Sequence, residues 1–372
     1  MSRRFLCFAA VVALSALGME ARALSIVDPG QGPVPIADVA GSSPRELSGL
    51  AWDGTRGEWV AVSDDDARLQ RLAIDLDPAT GRIVAARTLG AQPLVAGDGS
   101  ALPSGRDLEG VALSADGARV LTSGETGPAL RVHDRSDGRL LQERGPSSHP
   151  DLAVFAQQRT NLGWEALALD ASSGAVWLAN EEALAVDGPT GAGVNVETLV
   201  RLQRLDSDLT PDGQRVYRVS GDVVPGALGN VNSGVSDLVA LPDGRLLVLE
   251  RTAGLVSFAP DLDLRSRIFL VDPGGGTDVT ALPSLVGAAF DEVAKTLLWE
   301  GVFPDHNFEG LALGPLLAGG DRSLLLVADD GSGLAPGLLA LRLTGLPVPE
   351  PASGALVALG LLGLARRART RA

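Results

Sequence analysis

The chain is short of the residues on which most enzyme chemistry depends. Among its 372 residues there is one cysteine, Cys7, one lysine, Lys295, and three histidines, His133, His149 and His306. The cysteine lies in the apolar leader described below, so the body of the chain forms no disulfide and presents no thiolate nucleophile or thiolate metal site. Zinc is disfavoured for the same reason and by the scarcity of imidazole. A serine nucleophile needs a base and an orienting acid. No G-x-S-x-G elbow occurs and histidine is scarce, so that mechanism is disfavoured as well. No Walker A loop or dinucleotide fingerprint stands in a strand–helix setting. Positive charge is also in deficit, with 31 Lys and Arg against 46 Asp and Glu, a formal charge of −15. A body this acidic repels nucleic acid and anionic membrane, and suits cation binding or simple solubility.

Aromatic residues are 4%, whereas glycine numbers 46 and proline 23, a composition suited to many short strands and turns. The five tryptophans, Trp52, Trp59, Trp164, Trp177 and Trp299, mostly sit in strand-like runs and are expected in the core rather than on a sugar platform. The apolar stretches at the two ends are both shorter than the ~20 residues of a bilayer span. The first, Phe5 to Met19, follows two arginines and precedes Ala21-Arg22-Ala23. It reads as a secretory signal peptide over residues 1–23, cleaved after Ala23, and no lipoprotein cysteine follows it. The second, Ala352 to Ala365, stands between Val348-Pro349-Glu350-Pro351 and Arg366, Arg367, Arg369 and Arg371. That order, over residues 347–372, resembles the PEP-CTERM sorting tail of Gram-negative bacteria. The resemblance implies processing by an exosortase and export to the periplasm, outer envelope or extracellular matrix. The short apolar segment would serve as a transient transmembrane tether. Loss of three Arg and one Glu with the leader, and of four Arg with the tail, takes the formal charge from −15 to −17 and then to −21.

Between these ends, over residues 24–346, one pattern recurs. In DLEGVALSADGARVLTSGETG, two apolar runs flank Asp116-Gly117, a strong hairpin turn signal, and folding there brings Glu109 beside Glu125. Glu165 and Glu181 are likewise sixteen positions apart across Ser173-Gly174, and Asp237 and Glu250 thirteen apart across Asp243-Gly244. Glu309 and Asp329 flank a longer turn, and an earlier copy has Ser48 in the first slot and Asp64 in the second. The copies start 61, 56, 72 and 72 residues apart, periods that signal a repeat architecture. Each continues into further strand-like runs, so units of about four short strands predict an all-β fold, a β-propeller with a central channel. Five units are countable. Residues 284–303, which carry no acidic pair, are a candidate for a degenerate sixth unit or a helical insertion, and six blades are the expectation. Leu24 to Gly41 is the candidate for a strand closing the ring beside LLALRL near the C-terminus, and the folded body is expected to be a monomer.

The segments RTNLGWEALALD with NEEAL, GVSDLVALPDGRLLVLER, and DHNFEGLALGP ending in VADDG carry a resemblance that covers nearly the whole body of the chain. They look like the phytase-like domain family, also described by an esterase-like activity of phytase. The shared positions are Arg159, Asn161, Glu165, Glu181, Asp237, Glu250, Arg251, Asp305, Asn307, Glu309 and Asp329. The resemblance implies a β-propeller and a phosphoester hydrolase; calcium-dependent phytases are a more distant comparison with a Ca²⁺-loaded acidic channel. Two positions depart from the pattern: Ser48 lacks the acid, and Ala166 replaces the glycine that follows Glu109 and Glu309.

Taken as chemistry, Glu109, Glu125, Glu165, Glu181, Asp237, Glu250, Glu309 and Asp329 form a ring of hard oxygen donors, and Ca²⁺ takes ~6–8 such ligands. For a phosphoester, Glu165 and Glu309 are the candidate catalytic carboxylates. Arg159 and Arg251 are candidates to hold the anion, and His306, three residues before Glu309, is a candidate at the channel mouth. The plainer reading of both arginines is a salt bridge to the neighbouring carboxylates. Two functions are therefore expected to compete. One is a Ca²⁺-dependent hydrolase of a phosphorylated small molecule. The other is a non-catalytic, ion-stabilised propeller binding a partner or matrix polysaccharide.

Overall fold

A glycine in the left-handed region turns each acidic hairpin. Gly57, Gly117, Gly174, Gly244 and Gly320 all have φ between 65° and 87°, a conformation in which a side chain is strained. From these turns the chain builds five four-stranded antiparallel sheets. The computed structural model describes residues 23–102, 107–221, 231–255, 262–331, 334 and 336–346. The leader through residue 22 and the tail from residue 347 lie outside the described residues. Among the described residues no helix is long and apolar enough to cross a membrane.

The first blade runs Leu47–Asp53, Glu58–Ser63, Arg68–Leu76, Ile83–Pro93, and the second Leu108–Leu113, Arg119–Gly124, Ala129–Asp134, Leu140–Arg144. The third is Trp164–Leu169, Val176–Asn180, Thr198–Leu205, Pro211–Val219, and the fourth Val231–Ala240, Leu246–Leu255, Leu262–Asp272, Ala294–Val302. The fifth takes Asn307–Leu316, Arg322–Asp329 and Gly337–Thr344 from one end of the chain and Ser25–Val27 from the other. Ser25 pairs with Thr344 and Val27 with Arg342, so the N-terminal strand closes the ring as the residues 24–41 suggested.

The expected sixth blade is not there. The innermost strands of the five blades contact one another in a closed cycle, which leaves no gap for another. Residues 294–302 instead form the outer strand of the fourth blade, with Arg265 opposite Val302 and Asp272 opposite Ala294. The loop before them packs Val279 and Leu285 onto Val216 of the third blade. The segment lacks an acidic pair because it faces outward, away from the channel.

Apolar side chains fill the spaces between blades. Trp59 is 1% exposed and Trp164 fully buried. Phe155, from the 3₁₀ helix Pro150–Gln157, sits edge-on to Trp164 at 5.2 Å. Each such burial contributes about 1.5–3 kcal/mol. Around the channel the inner strands approach backbone to backbone. A Cβ on Gly49 would lie 2.4 Å from the Glu109 carbonyl oxygen, and one on Gly310 2.6 Å from that of Ser48. At Gly49 and Gly310 the close approach of the neighbouring inner strand therefore demands glycine.

Candidate functional site

In every blade the first hairpin carries a register shift at the acidic end, an extra residue that turns its side chain out of the ladder. The shifts fall at Leu47/Gly49, Leu108/Val111, Trp164/Ala166, Val235/Asp237 and Phe308/Gly310. The shifted residues are thus Ser48, Glu109, Glu165, Ser236 and Glu309. On the second strands, Ser63, Gly124, Asn180, Glu250 and Ala328 pair with the residue just before each shift, and the residues after them are Asp64, Glu125, Glu181, Arg251 and Asp329.

The fourth blade is therefore displaced by one residue from the predicted pairing, at both slots. Asp237 occupies the place of the channel glycine. Its carboxylate accepts from Leu311 N at 2.6 Å and Leu238 N at 2.7 Å, tying the fourth blade's inner strand to the fifth's. Burial raises its pKa well above the usual carboxylate range, against the lowering effect of those amides. Glu250 points away from the acidic slots, between the strands of its own blade and the third. It accepts from Tyr217 Oη at 2.5 Å, Lys295 Nζ at 2.6 Å and Ser220 N at 3.2 Å, with Arg267 at 3.5 Å. The ammonium of Lys295 also donates to the Arg218 carbonyl and Ser220 Oγ, both at 2.6 Å, and lies 4.2 Å from the Phe269 ring centroid. The only lysine of the chain thus neutralises a buried structural carboxylate. Tyr217→Phe removes one hydrogen bond to that charge and should cost about 1.5–3 kcal/mol in denaturant unfolding, without altering calcium binding.

With Glu250 turned away, Arg251 takes the slot that is acidic in the other four blades. Its guanidinium donates to Glu181 Oε1 at 2.5 Å, Glu309 Oε1 at 2.7 Å and Asn307 Oδ1 at 3.2 Å. Asn307 in turn donates to Glu309 at 2.7 Å. Burial alone would lower the Arg251 pKa, but Glu181, Glu309 and Glu165 outweigh it and raise it. This guanidinium spans the third, fourth and fifth blades.

The carboxylates converge around it. Oxygens of Glu109, Glu165 and Glu309 lie within 4.8 Å of one another, as do those of Glu125, Glu165 and Glu181, and those of Asp107, Glu109 and Glu125. All but Asp107 are buried. Burial, reinforced by the neighbouring acids, pushes Glu109 and Glu165 well above the usual carboxylate range. Burial likewise moves Glu309 to about 7, with Arg251 opposing, and Glu125 to about 7, with the Gly163 amide opposing. Asp64 is pushed to about 8 by burial and by Asp329, Glu46 and Glu309. Asp329 is also raised, mainly by burial, while it accepts from Gly331 N at 2.8 Å. Among the described residues Arg251 is the one cation paired with this group.

Of the predicted site residues, Glu109, Glu125, Glu165, Glu181, Glu309, Asp329 and Arg251 meet here; Asp237 and Glu250 do not. Arg159 bonds the backbone carbonyls of Ala183 at 3.2 Å and Gly188 at 2.8 Å, pinning a loop rather than a carboxylate. His306 stacks on Phe308, 6.0 Å between centroids, with its edge beside Gly337, and burial lowers its pKa. Asp64, Asp107 and Asn307 belong to the site without having been counted as ligands. Asp107 stands just before the strand Leu108–Leu113, with a left-handed φ of 42°, and its nearness in sequence to Glu109 was the signal for it.

The model of a family described as phytase-like, esterase-like activity of phytase, matches residues 45–331, and that of the PEP-CTERM protein-sorting motif matches residues 347–369. The sorting motif marks an exported, envelope-associated protein of Gram-negative bacteria processed by an exosortase. No curated protein matches the chain. Among solved structures it is similar to hydrazine synthase of Kuenenia stuttgartiensis, at 9% identity and a TM-score of 0.33, covering 79% of this chain and 60% of that one. An endo-arabinase of Bacteroides thetaiotaomicron is similar at 12% identity and a TM-score of 0.41, covering 86% and 97%. The periplasmic gluconolactonase of Pseudomonas aeruginosa is similar at 14% and 0.35, covering 81% and 88%. Likenesses at these scores carry no argument about activity.

Proposed function

This chain belongs to the phytase-like family, and on that premise we propose that it is an exported Ca²⁺-dependent phosphoester hydrolase acting at the acidic end of the propeller channel. One observation carries the reading: the carboxylates of Glu109, Glu165 and Glu309 are buried with oxygens within 4.8 Å of one another. Like charges so placed must take up protons, pair with arginine or bind a cation, and Arg251 pairs with Glu309 alone of these three. The donors are all carboxylate oxygens, which fits Ca²⁺ and not a nitrogen- or sulfur-seeking metal. Glu109, Glu165 and Glu309 would hold the ion, with Glu125 and Glu181 on its flank. Bound there, Ca²⁺ supplies Lewis-acid polarisation of a phosphoryl group.

The chain's own residues supply the rest. Arg251 carries five donors and keeps some free of Glu181 and Glu309, so a phosphate oxygen finds a cation beside the carboxylates. Asn307 holds Glu309 in place through the 2.7 Å bond. Glu125, at about 7, exchanges a proton near neutral pH, as a general acid or base must.

The test is a panel of phosphoesters and carboxylesters with and without Ca²⁺. Calcium-dependent phosphoester turnover, lost in Glu165→Gln, supports the hydrolase. The bond from Arg251 to Glu181 and Glu309 favours a second reading, a non-catalytic, ion-stabilised propeller that binds a partner or matrix polysaccharide, because it ties three blades together. Stabilisation by calcium without turnover of any ester selects that alternative.

Processing follows from the two ends. Mass spectrometry of the protein from its own host should find a mature N-terminus at Leu24 and a C-terminus near Pro349–Pro351. Intact ends would count against both addresses.

A further inference from the structure

We propose that the end of the channel opposite the acidic slots is a binding site for a small hydrophobic carboxylate, its apolar body in the channel and its charge on Arg322. A cavity of about 480 Å³ opens there, lined by the inner strands of all five blades. Each strand contributes the apolar pair just beyond its register shift, such as Val111-Ala112 and Leu167-Ala168, and Trp52 forms part of the wall. Its size and lining suit a small-molecule site, in which a few polar groups fix orientation.

Arg322 is the cation of this lining. Among the described residues its Nε has no hydrogen-bond partner, and no carboxylate pairs with it. Burial alone lowers its pKa, with no neighbouring charge contributing. The guanidinium is half-buried and its Nε is left without a partner, which is unfavourable, and an incoming carboxylate would satisfy it. Asp170, which also lines the cavity, is engaged in its own turn by Ser172 N, Ser172 Oγ and Ser173 Oγ. The walls are thus apolar, with Arg322 their one cation and Asp170 a carboxylate whose charge is held within its own turn, so a fatty or aromatic acid fits where its carboxylate reaches Arg322. This site shares no residue with the acidic cluster, and the inference stands or falls apart from the hydrolase reading.

The experiment is isothermal titration of the full chain with decanoate, decanol and decyltrimethylammonium in EDTA, which removes calcium as a competing carboxylate ligand. Decanoate should bind about tenfold or more tighter than decanol, the worth of one charge-assisted pair, and the ammonium should not bind. Arg322→Met should bring decanoate down to the level of decanol, leave decanol unchanged, and melt no lower than the parent without ligand. Glu165→Gln should bind decanoate as the parent does. Equal binding of decanoate and decanol by the parent overturns the proposal, whether or not the variant folds. So does decanoate affinity that survives Arg322→Met, or the absence of any binding.

Discussion

Millimolar Ca²⁺ should raise the melting temperature of the chain, and Glu165→Gln combined with Glu309→Gln should abolish most of the rise. A cation that binds only the folded state stabilises it by mass action, ~2.7 kcal/mol at a hundredfold excess over its dissociation constant. For a domain of this size that is about 5 °C. Glutamine keeps the shape of glutamate but offers one neutral oxygen, so the double variant loses two of the three charges that lie within 4.8 Å. It also relieves the repulsion that burial leaves between them, and without calcium it should be at least as stable as the parent. Loss of fold therefore does not explain loss of the calcium effect. Turnover should fall with the metal, about 100-fold or more in kcat/KM for Glu165→Gln. A parent that melts at the same temperature with and without 5–10 mM calcium (about tenfold above ordinary extracellular sites) defeats the metal reading, and the hydrolase goes with it.

The hairpins were legible because their signals are local. Asp-Gly and Ser-Gly turns require left-handed backbone, and the alternation of apolar residues on either side fixes which strands pair. The closing strand at Ser25–Val27 was legible for a topological reason, since a ring of paired strands leaves its last blade one strand short. The register of the fourth blade was not. At a bulge two residues oppose one, so alternation no longer says which neighbour faces the channel. In the segment VSDLV the acid lies one place beyond the slot, and in LER one place before it. Both displacements preserve the appearance of a pair. The true slot, Arg251, was visible only as a cation of uncertain purpose, because its partners come from two other blades. Arg322 was invisible for the same kind of reason, since nothing local to it announces a lack of partners.

The acidic site should also give the calcium-free protein an unusual pH dependence. An acid whose pKa is raised on folding holds its proton more tightly in the native state. Its contribution is complete below the unfolded value, near 4.5 for glutamate and 3.8 for aspartate, and is lost as pH rises through the folded value. Glu125 and Glu309 move to about 7 and Asp64 to about 8, each chiefly through burial, and Glu109 and Glu165 move the same way. Stability without calcium should therefore fall between about pH 5 and pH 8, with buried Glu309 and Glu125 among the groups that drive the loss. Below pH 4 the trend reverses. Asp278, for which burial is outweighed by hydrogen bonds from Thr280 and Gln214, is held at about 2 and loses its contribution on acidification. Calcium acts in the opposite sense, because it competes with protons for the same oxygens. Its stabilisation should be small at pH 5 and largest at pH 8, so that melting curves in EDTA and in calcium diverge as pH rises. Glu165→Gln with Glu309→Gln should flatten the EDTA curve and close the gap. Thermal melts at pH 5, 6.5 and 8 decide the matter: a calcium-free protein that gains stability toward pH 8 would show that these carboxylates are ionised and satisfied without a cation.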